Sequence, residues 1–362
     1  MQKRRTFIKQ TGILLSGIGI LSNYAFKIGS KKEKLGICLV GLGNYSTNLL
    51  APALQLTRHC ELRGIVTGSP SKIPIWQKRY GIPDKNVYNY QNMDRIADNP
   101  DIDVIYIVLP TGLHAAYAII AANTGKHVWC EKPMAKTAKE CQAIIDACTK
   151  NKVKLSIGYR MQHEPNTQQI INWSKTKPFG KINEVKAHVG FNITNPGNTW
   201  RMDKELGGGL LYDVGVYCIN AIRYTLGEEP IAVMAHHENT RPHVFKEVSE
   251  TSIFEFDFPN GVKGDGKTTA TQNINILHAD CENGWYELEP FQAYNGVKGK
   301  TSDGTLLNTY IENQQARQMD DDALAILENR PVLVPGEDGM KDIVLLEAIN
   351  QSAQADKKVM LS

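Results

Sequence analysis

The chain has 362 residues, of which 42% are hydrophobic and 22% charged, the make-up of a globular protein with room for two hydrophobic cores. A net charge of +3 excludes the basic footprint of a nucleic-acid binder. Past the N-terminus no apolar run is long enough to span a bilayer, and the seven cysteines show no metal-ligand spacing, so no metal site is expected.

Residues 1–28 read as a twin-arginine export signal. Lys3-Arg4-Arg5-Thr6-Phe7-Ile8-Lys9 supplies the paired arginines, and the run from Thr11 to Ala25 is mostly apolar, diluted by Gly12, Gly17 and Gly19. That run is shorter than the roughly 20 residues needed to cross a membrane. The twin-arginine address carries proteins already folded, which places the expected protein in the periplasm with no membrane partner beyond the signal. Cysteines such as Cys38, Cys130 and Cys218 lie inside apolar runs as small hydrophobes. A chain without disulfides suits folding in a reducing cytoplasm before export.

From residue 35 to 158 the pattern alternates apolar strands with helices. Strands are predicted at Leu35–Val40, Leu62–Thr67, Val104–Leu109, His127–Cys130 and Lys154–Gly158, with helices at Asn48–Thr57, Ile73–Tyr80, His114–Thr124 and Thr137–Lys150. Such alternation implies a doubly wound parallel sheet, a Rossmann domain, whose ligand sits beyond the carboxyl ends of the strands. Gly41 and Gly43, directly after the first strand, let the backbone turn tightly and approach a pyrophosphate; Asn44 and Tyr45 continue that loop. Ser46 stands where the usual fingerprint has a third glycine. The second strand ends in Ile65-Val66-Thr67-Gly68-Ser69-Pro70-Ser71-Lys72, with no acid to bind the ribose 2′-hydroxyl of NAD. Ser69 and Lys72 could instead hold a 2′-phosphate, which favours NADP over NAD.

The fourth strand runs into Cys130-Glu131-Lys132-Pro133. A lysine at the carboxyl edge of the sheet faces the nicotinamide and substrate, and the following proline could fix the peptide, cis or trans. Further on stands Gly207-Gly208-Gly209-Leu210-Leu211-Tyr212-Asp213-Val214-Gly215-Val216-Tyr217. Together these segments resemble the oxidoreductase family that includes glucose–fructose oxidoreductase and inositol dehydrogenase. Tyr217, where many members carry histidine, followed by Arg223-Tyr224-Thr225-Leu226-Gly227-Glu228-Glu229-Pro230, is similar to the glucose–fructose oxidoreductase branch. Leu109-Pro110 with His114, Ile157-Gly158-Tyr159-Arg160, Trp200-Arg201 and Pro335-Gly336-Glu337-Asp338-Gly339-Met340 extend the resemblance to the C-terminus.

The resemblance implies Lys132, Asp213 and Tyr217 as the catalytic set, and cofactor contacts from Pro110, Thr111, His114 and Glu131 as well as the glycine loop. Arg160, His163, Trp200 and Arg201 are candidates for sugar contacts. Tyrosine near a cation such as Lys132 becomes a usable acid/base, since its free pKa near 10 would otherwise keep it protonated. Asp213 lies four residues before Tyr217, so on an α-helix the two would share a face. Residues 159–362 are expected to form an α+β substrate domain with an open, largely antiparallel sheet. Its strands are predicted at Val185–Gly190, Ile231–His236, Ser252–Asp257 and Lys263–Thr269, with helices at Asp320–Asn329 and Lys341–Ala355. One face of that sheet would serve a homo-oligomer, dimer or tetramer.

The expected function is an exported, NADP-dependent sugar oxidoreductase: an aldose is oxidised at C1 to a lactone, and a second sugar reoxidises the bound cofactor. The alternatives are an NADP-dependent aldose dehydrogenase with exchangeable cofactor and a glycosidase that uses bound NAD transiently. Only Phe26 to Lys34 separate the apolar run from the first strand, too little for the extended arm with which glucose–fructose oxidoreductases secure their cofactor.

Overall fold

The computed structural model describes residues 32–197 and 199–361. The export signal lies outside the described residues. Residues 33–361 hold two sheets within one unit.

The first sheet comprises β1 (Leu35–Val40), β2 (Cys60–Val66), β3 (Val87–Tyr88), β4 (Val104–Ile107), β5 (His127–Cys130) and β6 (Leu155–Ile157), in the order β3-β2-β1-β4-β5-β6. Every pairing is parallel. Strands buried on both faces read as continuous apolar runs, and all six residues of β1 are buried. Strand order reverses at β1, so the crevice between β1 and β4 is where a ligand belongs. Helices Ile73–Tyr80, Thr111–Asn123 and Ala138–Lys150 make the connections. Thr137 caps the last of them: its hydroxyl accepts from the Glu140 amide (3.1 Å) while a Glu140 carboxylate oxygen accepts from the Thr137 amide (3.1 Å). Ser46–Leu50, after the glycine loop, is a π-type turn followed by Ala51–Ala53, shorter than the helix expected there.

The second sheet contains β7 (Ile182–Gly190), β8 (Ala232–Glu238), β9 (Thr251–Asp257), β10 (Lys263–Thr269), β11 (Ile274–Cys281), β12 (Gly284–Leu288), β13 (Gly299–Thr301), β14 (Leu306–Leu307) and β15 (Val359–Met360). Its order is β14-β13-β12-β11-β7-β10-β9-β8-β15, with only β7 and β10 parallel. Val185, Ala187 and Val189 alternate inward along β7, against the helix Val216–Leu226. Gly266 is required on β10, because a Cβ there would meet the Phe254 ring at 2.0 Å.

Two C-terminal helices tie the halves together. Gln314–Leu327 sends Ala316, Met319 and Ala323 into one core with Leu39, Leu50, Cys60 and Trp129 of the first half. Gly336–Ala355 packs on both Ala138–Lys150 and β8. All seven cysteines are free and buried.

Candidate active site

The carboxyl ends of β1, β2, β4 and β5 open on a cavity of about 570 Å³ whose far wall comes from the second half of the chain. Gly41 takes φ +93°, and a Cβ on it would lie 2.4 Å from the Val108 carbonyl oxygen, so only glycine makes this turn. Gly43 faces open space, leaving bare backbone toward the cavity. Ser46, in place of the third glycine, is buried and its hydroxyl donates to the Gly41 carbonyl (2.6 Å), closing the loop with a side chain. Lys72 reaches across to donate to the Leu42 carbonyl (2.6 Å). Its ammonium, with Thr67, Gly68 and Ser69, forms the polar wall beyond β2. These residues fit a dinucleotide: a cradle of free backbone for the pyrophosphate, and a cation and hydroxyls where an acid would repel a 2′-phosphate.

At the other end of the cavity stand Lys132, Asp213 and Tyr217. The Lys132–Pro133 peptide is cis. Lys132 donates to the backbone carbonyl of Asp213 (2.7 Å) and lies 3.5 Å from its Oδ1. The same ammonium sits 4.9 Å from the centre of the Tyr217 ring, within the range of a cation–π contact. Asp213 Oδ2 accepts from Arg201 Nε (2.6 Å), and the Arg201 guanidinium lies over the Trp200 ring at 4.6 Å.

The glycine run builds this cluster. A side chain on Gly208 would collide with the Arg201 carbonyl at 2.6 Å, and Gly207 and Gly209 take φ +72° and +99°. The segment therefore folds back on itself and brings Arg201 to Asp213. Asp213 and Tyr217 do not share a regular α-helix: Leu211–Gly215 is a π-type turn, and the α-helix starts at Val216. Both still line the cavity, and π-turns recur where a helix must aim side chains into a site.

Burial opposes ionisation of Asp213, but Lys132 and Arg201 outweigh it and hold the carboxyl below its ordinary pKa. Burial likewise works against the Lys132 ammonium, but the acidic groups around it, Tyr217, Asp213 and Glu131, outweigh burial and raise its pKa. Glu131 is different. Burial pushes it up to about 7, only partly opposed by the Tyr106 hydroxyl, which donates to it at 2.6 Å, and by Lys132. A carboxyl raised in the folded state stabilises the fold fully below its unfolded value, near 4.3, and loses that contribution as pH rises through about 7. Glu131→Gln is expected to remove roughly 3 kcal/mol of the difference in unfolding free energy between pH 5 and pH 8. Urea unfolding at the two pH values measures it; an unchanged difference would mean that Glu131 ionises normally.

Of the residues singled out in the sequence, Gly41, Gly43, Asn44, Tyr45, Ser69, Lys72, Pro110, Thr111, Glu131, Lys132, Trp200, Arg201, Asp213 and Tyr217 meet on this one cavity. Three do not reach its wall. His114 is buried with Nδ1 2.7 Å from the Pro133 carbonyl and Nε2 2.8 Å from that of Leu109. It ties the β4 and β5 exit loops together behind the cavity, and burial pulls its pKa down against those two carbonyls. His163 turns away to pair with Asp321 (3.0 Å) on the Gln314–Leu327 helix. Arg160 is fully buried behind Tyr217. Tyr294 lines the cavity without having been singled out; its ring lies 6.1 Å from that of Tyr45, across the cleft. It sits in an irregular segment with no motif around it, so the sequence carries no signal for it.

Comparison with known proteins agrees with this geometry. Residues 35–159 match the GFO/IDH/MocA oxidoreductase family with its NAD-binding Rossmann fold, and residues 167–287 match the GFO/IDH/MocA C-terminal domain. The crystal structure of an aldose–aldose oxidoreductase from Caulobacter crescentus, complexed with glycerol, is 36% identical. That match covers 91% of this chain and 100% of that one, with a TM-score of 0.87. A D-xylose 1-dehydrogenase [NADP(+)] of Haloarcula marismortui is 26% identical over 343 residues, 89% of this chain and 92% of its own. A D-xylose 1-dehydrogenase (NADP(+)) of Haloferax volcanii is 25% identical over 330 residues, 89% and 98% of the two chains. With a Rossmann sheet, a cofactor-shaped cleft and both family domains matched, the chain belongs to the GFO/IDH/MocA family of oxidoreductases.

Proposed function

We propose that this protein is an NADP-dependent sugar oxidoreductase that oxidises an aldose at C1 to the lactone and passes the hydride to a second sugar, without exchanging its cofactor. The observation that carries the reading is the convergence of Lys132, Asp213 and Tyr217 at one end of a cavity whose other end is the glycine loop and Lys72. The likeness to an aldose–aldose oxidoreductase along almost the whole chain supports the two-sugar cycle. The NADP-dependent xylose dehydrogenases support the choice of cofactor, as does the absence of an acid between Val66 and Lys72.

When bound, the cofactor supplies the hydride acceptor for the first sugar and the hydride donor for the second. Tyr217 takes the C1 hydroxyl proton of the aldose and later returns a proton to the carbonyl oxygen of the acceptor, which leaves as the alditol. Lys132 balances the charge on Tyr217. Asp213, fixed between Lys132 and Arg201, accepts a sugar hydroxyl and so aligns C1. The N-terminal signal adds the proposal that the protein works in the periplasm after folded export, where an enzyme that recycles its own cofactor needs no external nicotinamide pool.

The test is purified protein incubated with an aldose and a second sugar and no added nicotinamide. Aldonate and alditol in equal amounts are expected. Oxidation that appears only with added NADP would replace the cycle by an ordinary dehydrogenase, a reading that the xylose dehydrogenases favour. No oxidation of any aldose under either condition would overturn the sugar reading.

A further inference from the structure

A cofactor that stays on the enzyme through both half-reactions needs a cleft that does not let it go. The two halves of the chain meet around this cleft in two different ways. Beyond β4 and β5 the first half is hydrogen-bonded to the glycine-run segment. The Gly112 amide donates to the Leu206 carbonyl (2.9 Å), Lys136 to the Glu205 carbonyl (2.8 Å) and Lys132 to that of Asp213 (2.7 Å). The glycine loop instead meets the second half through aromatic rings. Tyr45, directly after Asn44, faces Tyr294 with ring centres 6.1 Å apart and planes tilted by 36°. Both side chains line the cavity.

Tyr45 stands between the two ends of that cavity. It follows the turn made by Gly41 and Gly43, and the groups close enough to act on it electrostatically are Glu131, Tyr217, Arg160 and Tyr294. A group that fills the cavity from the glycine loop to Lys132 therefore lies along the Tyr45–Tyr294 contact.

Tyr294 is held in its place although its residue is 48% exposed and lies in the irregular segment between β12 and β13. Asn275 on β11 accepts from the amides of Phe291 (3.0 Å) and Gln292 (2.9 Å) and donates to the Gln292 carbonyl (2.7 Å). Arg160 donates to the Ala293 carbonyl (2.7 Å), and its guanidinium carbon lies 4.6 Å from the centre of the Tyr294 ring, a cation–π contact. An exposed segment without such ties would open easily. Tyr294 itself packs in none of the hydrophobic cores, so core packing does not account for a large ring at this position. A ring contact can part and re-form without leaving a donor or acceptor unpaired, which suits an entrance better than a hydrogen-bonded edge does.

We infer that Tyr45 and Tyr294 form an aromatic clasp across the cleft that retains the bound dinucleotide, and that Asn275 is a positioning residue that keeps Tyr294 in the clasp. The inference rests on the reading of this cavity as the cofactor site and deepens the proposal of a cofactor that is not exchanged. Release requires the ring contact to part, so it is slow while both rings are present.

The experiment measures release directly. Protein loaded with NADPH is mixed with excess NADP, and the loss of bound NADPH fluorescence is followed by stopped flow, with the thermal midpoint recorded alongside. Tyr294→Ala and Tyr45→Ala are each expected to speed release roughly tenfold, the scale of one lost aromatic contact. The double variant should release little faster than either single one, because each substitution alone removes the contact. Tyr294→Phe keeps the ring and should release at the wild-type rate. Asn275→Ala should approach Tyr294→Ala, and Asn275→Asp, which still accepts from both amides, should restore most of the retention. A wild-type release rate in Tyr294→Ala overturns the clasp, and so does Tyr294→Phe releasing as fast as Tyr294→Ala. Effects that multiply in the double variant overturn it as well, since the rings would then act independently. If Tyr45→Ala disturbs the glycine loop and does not fold, the Tyr294 variants still decide the matter. The two-sugar cycle fails separately, through wild-type release as fast as turnover, and the ratio of Tyr294→Ala to wild type still judges the clasp in that case.

Discussion

Tyr217→Phe is expected to lower kcat by roughly 10²–10⁴-fold, the usual range for loss of a positioned acid/base, while leaving fold and cofactor cleft in place. The ring contributes packing that phenylalanine keeps: the edge-on contact with Tyr159 and the faces offered to Lys132 and Arg160. Only the hydroxyl is lost. Lys132 and Asp213 remain bonded to each other through the Asp213 carbonyl, so the glycine-run segment keeps its shape. Steady-state kinetics with an aldose and a second sugar, the thermal midpoint, and NADPH fluorescence on titration of cofactor-stripped protein make up the measurement. A fall in kcat with unchanged NADPH binding fits the assignment. Turnover within threefold of wild type would move the proton-transfer role to another group, and Lys132 is the neighbour in reach.

Much of the fold is legible in the sequence where burial is two-sided. Leu35–Val40 and His127–Cys130 are continuous apolar runs and fold as β1 and β5 with those ends. In the second half, β10 has the expected ends and β7 to β9 are legible within three residues, but β11 to β14 are not. The sequence of β11, Ile274-Asn275-Ile276-Leu277-His278-Ala279-Asp280-Cys281, buries only Leu277, Ala279 and Cys281. Half-buried strands with isoleucine on the open face and asparagine on the other give no clean alternation. The Gln314–Leu327 helix begins six residues before the sequence expectation because its first turns are polar. Gln314, Gln315 and Gln318 are nevertheless buried. A capping signal was there: Asn313 accepts from the Ala316 amide at 2.8 Å.

The site divides along the same line. Residues within motifs, such as Gly41, Lys132, Asp213 and Tyr217, reach the cavity because the motif encodes a local backbone shape. Arg160 ends a matching stretch and His163 follows it, but both stand in a 3₁₀ turn whose side chains point into the protein, toward Gln314 and Asp321. Nothing local distinguishes a residue before a buried turn from one before a cavity. Tyr294 depends on how two distant segments meet, which is a property of the assembled fold.

Replacing Lys132 by methionine is expected to lower kcat by roughly 10²–10³-fold, comparable to removing one preorganised donor at a reacting centre. It should also change how the protein meets acid. Asp213 is ionised in a buried place only because Lys132 and Arg201 overcome burial. A carboxyl depressed in the folded state stabilises the fold above its unfolded value, near 3.9, and that stability is lost as pH falls through the folded value. Without Lys132, Arg201 alone opposes burial, and its side chain is 54% exposed, so water screens it. The folded value of Asp213 then rises, and acid-induced loss of thermal midpoint begins at higher pH than in the wild type. Lys132→Arg should restore the acid behaviour in part and little of kcat, because a planar guanidinium cannot place one proton donor on the Asp213 carbonyl and keep its charge over the Tyr217 face. Thermal melts from about pH 3 to pH 6, a window set by the carboxylate range, together with kcat for both variants, separate the two roles. An acid profile identical to wild type in Lys132→Met would mean that Arg201 alone holds Asp213 ionised, leaving Lys132 a role in turnover only.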